Sequence, residues 1–312
     1  PLLLSSAASD VYKRQYMSSF LTDFPEMPNK QFREFKKGVD ASYKDFAREW
    51  GDLIDAMFDP LLKMLVFFEK TLIATPWPIF MIVLLGLTYW GSRSIKLVIG
   101  TFLAFVFIGY FRMWDETMST IAIILTSVIM SVVIGLPTGI AMSRSDRTQS
   151  IVTPILDVMQ TMPPFVYLIP IVMLMGIGKI PGLIAVVIYA IPPLIRLTNL
   201  GIREVDKEAL EAADAFGATK KQKLYQVQLP LALPTIFAGI NQTIMMALAM
   251  VIIASMIGVK GLGQPVLQSI YNQYFTKGVL YGLAIVIVAI VFDRVSQSYG
   301  QRIQKHRSGK IV

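Results

Sequence analysis

Residues 118–142 have the sequence MSTIAIILTSVIMSVVIGLPTGIAM, which contains no Asp, Glu, Lys or Arg. A helix of about 20 predominantly apolar residues is long enough to cross the hydrocarbon core of a bilayer. The surface helix of a soluble protein instead carries charged or polar residues on its outer face. The stretch therefore predicts a transmembrane helix, and it decides the class of the fold.

Apolar stretches on both sides of this run extend the prediction to an all-α, polytopic membrane protein with about seven transmembrane helices. The boundaries of such stretches are placed to within about four residues. The first two stretches are short, so they could be tilted, re-entrant or a helical pair. The predicted spans lie near residues 77–90, 95–111, 118–142, 161–176, 180–197, 235–257 and 279–294.

The amino-acid composition also indicates an integral membrane protein. Of its 312 residues, 54% are hydrophobic and 16% are charged, whereas a soluble domain has about a quarter charged residues. There is no cysteine, and the one histidine, His306, lies in a basic tail. Thiolate chemistry is excluded and a histidine-based site is not expected. We predict no catalytic residue, no metal site and no cofactor bound by this chain.

The net charge of +8 is explained by topology, so we expect no nucleic-acid partner. By the positive-inside rule, Lys and Arg concentrate in cytoplasmic connections. One alternate set of connections is rich in them, while the opposite set carries Arg112, Lys179, Lys260 and Lys277. This places the C-terminus and the basic tail, residues 298–312, in the cytoplasm and the N-terminal region outside.

The N-terminal region differs from the rest of the chain. Residues 1–15 look foreign to the fold, and we expect them to be a cloning or sequence-assembly scar. Residues 16–75 mix charges of both signs with aromatic side chains at spacings of three, four and seven, which is typical of amphipathic helices. Such a helix could lie on the membrane or against a partner, or it could pack on the protein's own core.

One cytoplasmic connection, residues 198–234, is far longer than the others. It is polar and favours helix up to Gly217, and a second helical stretch follows at residues 220–230. Glycine adopts backbone angles that other residues avoid, and proline lacks the N–H that a helix needs. We therefore predict a helix, a turn at Gly217, and a second helix that ends at Leu229-Pro230. Small side chains on the first helix would let it pack closely on another surface, although an ordinary surface hairpin is the alternative.

This connection resembles the EAA motif, which marks the permease subunits of binding-protein-dependent ABC importers. The motif residues are Glu211, Ala212, Ala213, Gly217, Val227, Leu229 and Pro230, with Val227 in place of the usual isoleucine. Further stretches resemble the permeases of glycine betaine/proline importers, and the close likeness covers residues 117–295. These stretches are LDVMQTMPPFVYLIP (156–170), IPPLIRLT (191–198), GINQT (239–243) and IASMIG (253–258).

The resemblance implies a MetI-like type I ABC importer permease core, here residues 76–297. In that family the segment corresponding to residues 211–217 forms a coupling helix that docks on a cytoplasmic ABC ATPase subunit. The resemblance also implies an extracytoplasmic substrate-binding protein, a second permease copy and a bacterial inner-membrane location. ATP would be used by the partner ATPase, because no stretch of this chain fits the phosphate-binding pattern GxxxxGK[ST].

Several prolines and polar side chains fall inside the predicted spans. Backbone carbonyls freed by proline are tolerated where they line a cavity or meet a neighbouring helix. Polar groups at membrane depth face protein or water. We hypothesise that these residues line the translocation path, and helix–helix contact is the alternative for each of them. They are Pro163, Pro164, Pro192, Pro193, Asn241, Gln242 and Thr243.

Two further pairs of residues allow structural interpretations. Gly135 and Gly139 form a GxxxG pair, which could be a dimer face or, more commonly in a polytopic bundle, an internal close contact. Asp157 and Asp293 lie near predicted cytoplasmic ends, where we expect them to be ion-paired interface residues.

Other functional classes remain as alternatives. A secondary transporter would usually show repeats and coupling carboxylates at mid-depth, and neither is evident here. An osmotically gated channel would not need the segment 211–230, and a membrane enzyme would need a catalytic constellation. Within the importers, choline, carnitine and proline are alternative solutes to glycine betaine.

Overall fold

The computed structural model describes the backbone of residues 26–308 and the side chains of residues 26–300. In that part of the chain the regular secondary structure is helical throughout, which confirms the predicted all-α class. The suspected scar, residues 1–15, and residues 16–25 lie outside the described residues. The helices are α1 (Asn29–Ala74), α2 (Trp77–Ser92), α3 (Ile95–Tyr110), α4 (Trp114–Arg144), α5 (Asp146–Thr161), α6 (Pro164–Met175), α7 (Lys179–Ala190), α8 (Pro192–Arg203), α9 (Lys207–Ala215), α10 (Lys220–Gln222), a π-helical turn (Lys223–Gln228), α11 (Leu229–Ser255), α12 (Gly263–Asn272) and α13 (Phe275–Ser308).

Four helical stretches in the described residues are long and apolar enough to cross a membrane. They are Trp114–Arg144, Lys179–Arg203, Lys220–Ser255 and Phe275–Gly300. The number rises to six if α1 with α2, and α5 with α6, each form one span. These two pairs are bent by 110° and 96°.

This count differs from the prediction of about seven spans because three of the predicted stretches are short. All seven form helices, but α2 and α3 have 16 residues each and α6 has 12. At about 1.5 Å per residue they reach about 24 Å and 18 Å, less than the hydrocarbon thickness of about 30 Å. Helix α2 packs directly against α3. Of the three arrangements predicted for the first two short stretches, the structure thus shows the helical pair.

Helix α8 lies at the centre of the core, between α4 and α11. Glycines make both contacts close. A Cβ at Gly139 of α4 would lie 2.6 Å from Thr198 Cβ and 2.8 Å from the carbonyl oxygen of Ile195 on α8. A Cβ at Gly239 of α11 would lie 3.2 Å from Leu194 Cα. The GxxxG pair is therefore an internal contact and not an exposed dimer face.

The chain consists of two compact units, residues 1–53 and 54–312, and the division falls within α1. Helix α1 continues for 46 residues, past Pro60, without a break. In the first unit its apolar side chains recur on one face and are exposed: Phe32, Phe35, Val39, Phe46, Trp50 and Leu53. These residues form one helix, as the spacing of the aromatic side chains predicts, and whether its apolar face lies on the membrane, on a partner or on the protein's own core stays a prediction.

The close contact between α4 and α8 generates a stability prediction. Substitution Gly139→Ala places a methyl group against backbone atoms that cannot move aside, so we expect a loss of about 1–3 kcal/mol. The matched control is Gly100→Ala on α3, where a Cβ meets nothing within 4 Å and where better helix propensity adds up to about 1 kcal/mol. The measurement is the thermal unfolding midpoint of both purified variants in one detergent. Equal midpoints would contradict the packing described here.

Candidate functional site

Helix α9 is a short, capped helix that stands between two spans. The carboxylate of Asp206 accepts a hydrogen bond from the backbone N–H of Glu208 at 3.0 Å, which caps its first turn. At its other end, the N–H of Gly217 donates to Asp214 O at 2.9 Å, and the N–H of Ala218 donates to Ala213 O at 3.0 Å. These two bonds form a Schellman motif, and Gly217 takes the required positive φ of 74°. The predicted turn at Gly217 is confirmed.

The second helix of the site begins at a capping box. Thr219 Oγ1 accepts from the N–H of Gln222 at 3.3 Å, and Gln222 Oε1 accepts from the N–H of Thr219 at 2.9 Å. This reciprocal pair satisfies two backbone donors that the first turn of a helix leaves unpaired. The start of the helix is therefore fixed immediately after the Gly217 turn.

The predicted end of this helix at Leu229-Pro230 is wrong. Residues Lys220–Ser255 form one continuous helix of 36 residues, so the site leads directly into α11. A proline ring clashes with the carbonyl four residues earlier in a regular α-helix. Here the π-helical turn Lys223–Gln228 precedes the proline, with the N–H of Leu229 bonded to Leu224 O, and this wider turn accommodates Pro230 without a break.

Two side chains anchor the hairpin formed by α9 and the start of the second helix. Leu224 is 2% exposed and packs in a small core with Ile202 of α8 and Ala232 and Ile236 of α11. Lys223 Nζ bonds Asp214 Oδ2 at 2.6 Å and so joins the two arms of the hairpin. The hairpin is thus held on the ends of two core helices.

Arg203 ties the same end of α8 to the turn between α4 and α5. Its guanidinium donates to Met142 O at 2.9 Å and pairs with Asp146 Oδ1 at 2.7 Å. A third bond, from Nε to Asn199 Oδ1 at 3.1 Å, fixes its rotamer. In the sequence Arg203 is one of several basic residues of the connection 198–234, and nothing there indicates this structural role.

The predicted motif residues divide into an exposed face and a supporting part. Glu211, Ala212 and Gly217 are exposed, whereas Ala213 is buried and Val227, Leu229 and Pro230 are half-buried. Beside the exposed members stands Phe216, which is 92% exposed, and Tyr225 is 64% exposed. Sequence reasoning missed Phe216, although an aromatic residue directly before the turn glycine of a polar hairpin is a detectable signal. An exposed aromatic surrounded by small residues suits a docking surface.

The prolines of the predicted path lie in two different settings. Pro163 and Pro164 precede and begin α6, so they form the 96° bend between α5 and α6. Pro192 and Pro193 begin α8 and are buried inside the core. The structure therefore does not bring the four prolines together on one surface.

The polar residues of the predicted path lie on α11, next to α8. Gln242 is exposed, Asn241 is half-buried and Thr243 is buried. In the described part of the chain, Asn241 Oδ1 and Thr243 Oγ1 are buried without a hydrogen-bond partner, as is Thr198 Oγ1 on α8. A buried polar atom without a partner is costly. Thr198 faces Gly139 of α4 and Asn241 faces Asp293 of α13, so the unpaired polar atoms lie at more than one helix contact inside an apolar bundle.

Asp157 and Asp293, both expected to be ion-paired, have different kinds of partner. Asp157 on α5 pairs with Arg196 on α8, so the expected ion pair is confirmed. For Asp293 the expectation is wrong, because its described partners are amides. Its Oδ1 accepts from Asn241 Nδ2 at 3.0 Å and from Gln297 Nε2 at 2.7 Å. The carboxylate faces α11 at the level of Asn241, while the neighbouring Arg294 is exposed on another face of the helix.

A stripe of exposed residues runs along α11. Its members recur at intervals of three, four or seven positions, as expected for one face of a helix. The stripe consists of Leu231, Ala238, Gln242, Met245, Ala249 and Met256. It begins just beyond the hairpin and ends at Met256, the residue directly after α11.

Comparison with known proteins places this arrangement in a family. Residues 131–305, more than half of the chain, match the profile described as "Binding-protein-dependent transport system inner membrane component". The glycine betaine/proline betaine permease ProW of Escherichia coli K12 is 47% identical over 234 residues, which cover 75% of this chain and 66% of ProW. The matched stretch thus spans slightly less than two thirds of that relative.

Two further relatives are covered more fully. The glycine betaine permease OpuAB of Bacillus subtilis is 50% identical over 218 residues, covering 70% of this chain and 77% of OpuAB. The glycine betaine/carnitine permease GbuB of Listeria monocytogenes is 48% identical over 230 residues, covering 73% and 81%.

A solved structure agrees with the fold. A chain of the methionine ABC transporter MetNI, in an inward-facing conformation, superimposes with a TM-score of 0.54 at 22% identity, covering 59% of this chain and 92% of that one. The superposition supports the predicted type I importer architecture, and the profile and relatives carry the assignment. This chain belongs to the family of binding-protein-dependent transport system inner-membrane components.

Proposed function

We propose that this chain is the membrane-spanning permease subunit of an ATP-driven, binding-protein-dependent importer of glycine betaine and proline betaine. The observation that carries the proposal is the 47–50% identity to permeases named for glycine betaine transport. The capped hairpin at residues 206–228 supplies the contact that such a subunit needs. ATP hydrolysis belongs to a separate partner subunit.

The exposed hairpin is the proposed docking surface for the ATPase. Phe216 enters an apolar recess of the partner, and the small residues around it allow close approach. The Schellman motif and the capping box keep the tip rigid, so little conformational entropy is lost on docking. The hairpin presents a preformed shape and not a flexible loop.

Motion of the docked hairpin reaches the membrane domain through three connections. The continuous helix Lys220–Ser255 carries it directly into α11. Leu224 carries it to α8 through the small core with Ile202, and Arg203 carries it to the turn between α4 and α5. Rigid elements that share a packed core move together, as rigid-body switching between two conformations requires.

The exposed stripe on α11 is the proposed contact with a second permease copy around the translocation path. Small side chains at Ala238 and Ala249 allow two helices to approach closely. Gln242 and the unpaired polar atoms of Asn241 and Thr243 offer hydrogen bonds to water or to a passing solute. A zwitterionic solute with a buried carboxylate needs such partners.

The proposed orientation places the hairpin and the C-terminus in the cytoplasm and the N-terminal region outside. The hairpin bears the lysines that the positive-inside rule assigns to the cytoplasm. Because Lys179 and Arg203 are the two ends of one helical stretch, Lys179 then lies at the extracytoplasmic end, where a substrate-binding protein delivers the solute.

A second candidate solute is carnitine, since GbuB is named for both glycine betaine and carnitine. Permeases named for choline or carnitine alone, OpuBB of Bacillus subtilis and OpuCB of Listeria monocytogenes, are 33% identical to this chain. The difference in identity favours glycine betaine as the main solute.

The proposal predicts solute uptake that depends on ATP and on both partners. The chain is co-expressed with its ATPase and binding protein in cells that cannot take up betaine, and accumulation of labelled glycine betaine is measured. Uptake should vanish when either partner is omitted. Uptake of carnitine or choline in place of betaine would keep the importer and replace the solute, whereas uptake without the ATPase would refute the importer.

If Phe216 docks on the ATPase, its removal should weaken ATPase binding without affecting folding or membrane insertion. Substitution Phe216→Ala removes an exposed side chain, so the protein should insert normally but bind the ATPase about 30-fold more weakly, as for an aromatic anchor worth about 2 kcal/mol. The control is Phe275→Ala, an equally large residue that is 83% exposed at the opposite end of the bundle. Co-purification of the ATPase measures both. Equal recovery with the two variants would remove Phe216 from the interface.

If polar residues of α11 line the translocation path, cysteines introduced at neighbouring positions of this helix should differ in their rate of reaction with a thiol reagent. The natural chain has no cysteine, so Gln242→Cys and Thr243→Cys each introduce one thiol. A charged, membrane-impermeant thiol reagent should modify the exposed position 242 at a rate that changes when ATP is bound, while the buried position 243 should react slowly. No modification at position 242 in any nucleotide state would exclude it from an aqueous path.

A further inference from the structure

Glu69 is a sheltered carboxylate near the end of α1. Its side chain is 14% exposed, and it lies in the unit of residues 54–312. It also lies outside residues 131–305, the part of the chain that matches the family profile. No role of a permease core explains an acid at this position.

Glu69 joins three elements of the structure. Its Oε2 forms an ion pair with Lys179 Nζ at the start of α7, and its Oε1 accepts a hydrogen bond from Ser119 Oγ of α4 at 3.3 Å. Lys179 is 31% exposed, so the pair is partly shielded from water. Removing one partner from such a pair leaves a charge with poor solvation, which is costly.

The segment directly before Lys179 is a turn whose glycines have open space around them. It is the turn Gly176-Ile177-Gly178, in which a Cβ at either glycine would meet nothing within 4 Å. Gly176 has a φ of 76°, and Ile177 is 75% exposed. Glycines in open space absorb large changes of backbone angle, as hinge segments do.

The same turn contacts the connection between α11 and α12. A Cβ at Gly258 would lie 3.1 Å from Ile177 Cγ2, and a Cβ at Gly182 would lie 2.0 Å from Val259 Cγ2. The N–H of Leu262 in this connection donates to Thr120 Oγ1 of α4 at 2.8 Å. At the end of the bundle that carries Lys179, α1, α4 and this connection therefore meet.

The other end of the same helical stretch lies at the coupling hairpin. Lys179–Arg203 is 25 residues long, or about 37 Å. Arg203 borders α9, so one stretch connects the contact with Glu69 to the site where the ATPase is proposed to dock. A restraint at Lys179 therefore acts on an element that the coupling site must move.

We propose that Glu69 is a positioning residue for transport: its ion pair with Lys179 holds the turn at residues 176–178 in the arrangement described here, which we call closed, and releases in every cycle. This inference rests on the proposed importer function and adds a gating element from outside the family core. A latch that favours one of two conformations shifts their populations by its differential stability. Its loss raises the population of the open arrangement.

Substitution of the charged residues tests whether the ion pair between Glu69 and Lys179 stabilises the closed arrangement. In the reconstituted complex with the ATPase but without binding protein, Glu69→Gln should raise basal ATP hydrolysis about fivefold, the lower range for coupled sites. The double variant Glu69→Lys with Lys179→Glu should restore the basal rate, because the pair is rebuilt in reverse. Unchanged hydrolysis in a folded Glu69→Gln complex, or no recovery in the double variant, would overturn the latch.

Crosslinking tests whether residues 69 and 179 separate during the transport cycle. Because the sequence contains no cysteine, introduced cysteines are the only thiols that react. The double variant Glu69→Cys with Lys179→Cys is treated with a short, cleavable bis-thiol reagent, and each single variant serves as a control. Crosslinking should be efficient without nucleotide and weaker in an ATP-trapped complex. The crosslinked complex should lose uptake, and cleavage should restore it.

These experiments distinguish a failure of the proposal for Glu69 and Lys179 from a failure of the proposed importer function. No crosslink, or full uptake by the crosslinked complex, would show that the contact is absent or static. If the unmodified protein imports no solute, the proposed function fails. The change of crosslinking with nucleotide then still decides whether the contact opens.

Discussion

The close packing of α8 between α4 and α11 is the contact on which the rest of the structure depends. Within a bilayer the hydrophobic effect does not drive helices together, because lipid is as apolar as leucine. Association instead comes from dispersion and close approach, which Gly139 and Gly239 permit. The two buried prolines that begin α8 are tolerated because this packing surrounds the backbone they disturb.

The hairpin at residues 206–228 is stiff because several local interactions support the same conformation. A cap at each end defines α9, a capping box begins the second helix, and Lys223 joins the two to each other through Asp214. Leu224 and Arg203 then fasten the hairpin to the packed helices. Surface ion pairs contribute little alone, but here each one restrains a segment that caps and apolar contacts already hold.

The sequence predicted those features that depend on neighbouring residues. Uncharged runs gave the helical membrane class, and Gly217 gave the turn, because span length and positive φ are local requirements. The unbroken helix through Pro230 could not be predicted, since the π-helical turn that accommodates the ring depends on how Leu224 packs. The partner of Asp293 lies 52 residues away, and the burial of Pro192 and Pro193 is set by α4 and α11. Phe216 was missed because the motif leaves its position unspecified.

The π-helical turn at Lys223–Gln228 also fixes the rotational phase between the hairpin and the membrane. Such a turn accommodates one residue more than an α-helical turn, and each residue of an α-helix rotates its face by about 100°. The direction in which Phe216 projects is thus offset from the exposed face of α11 by that extra residue. Loss of a single residue in the turn would regularise the helix. It would also rotate the exposed face that carries Phe216 around the bundle, while every side chain of the hairpin kept its own local contacts.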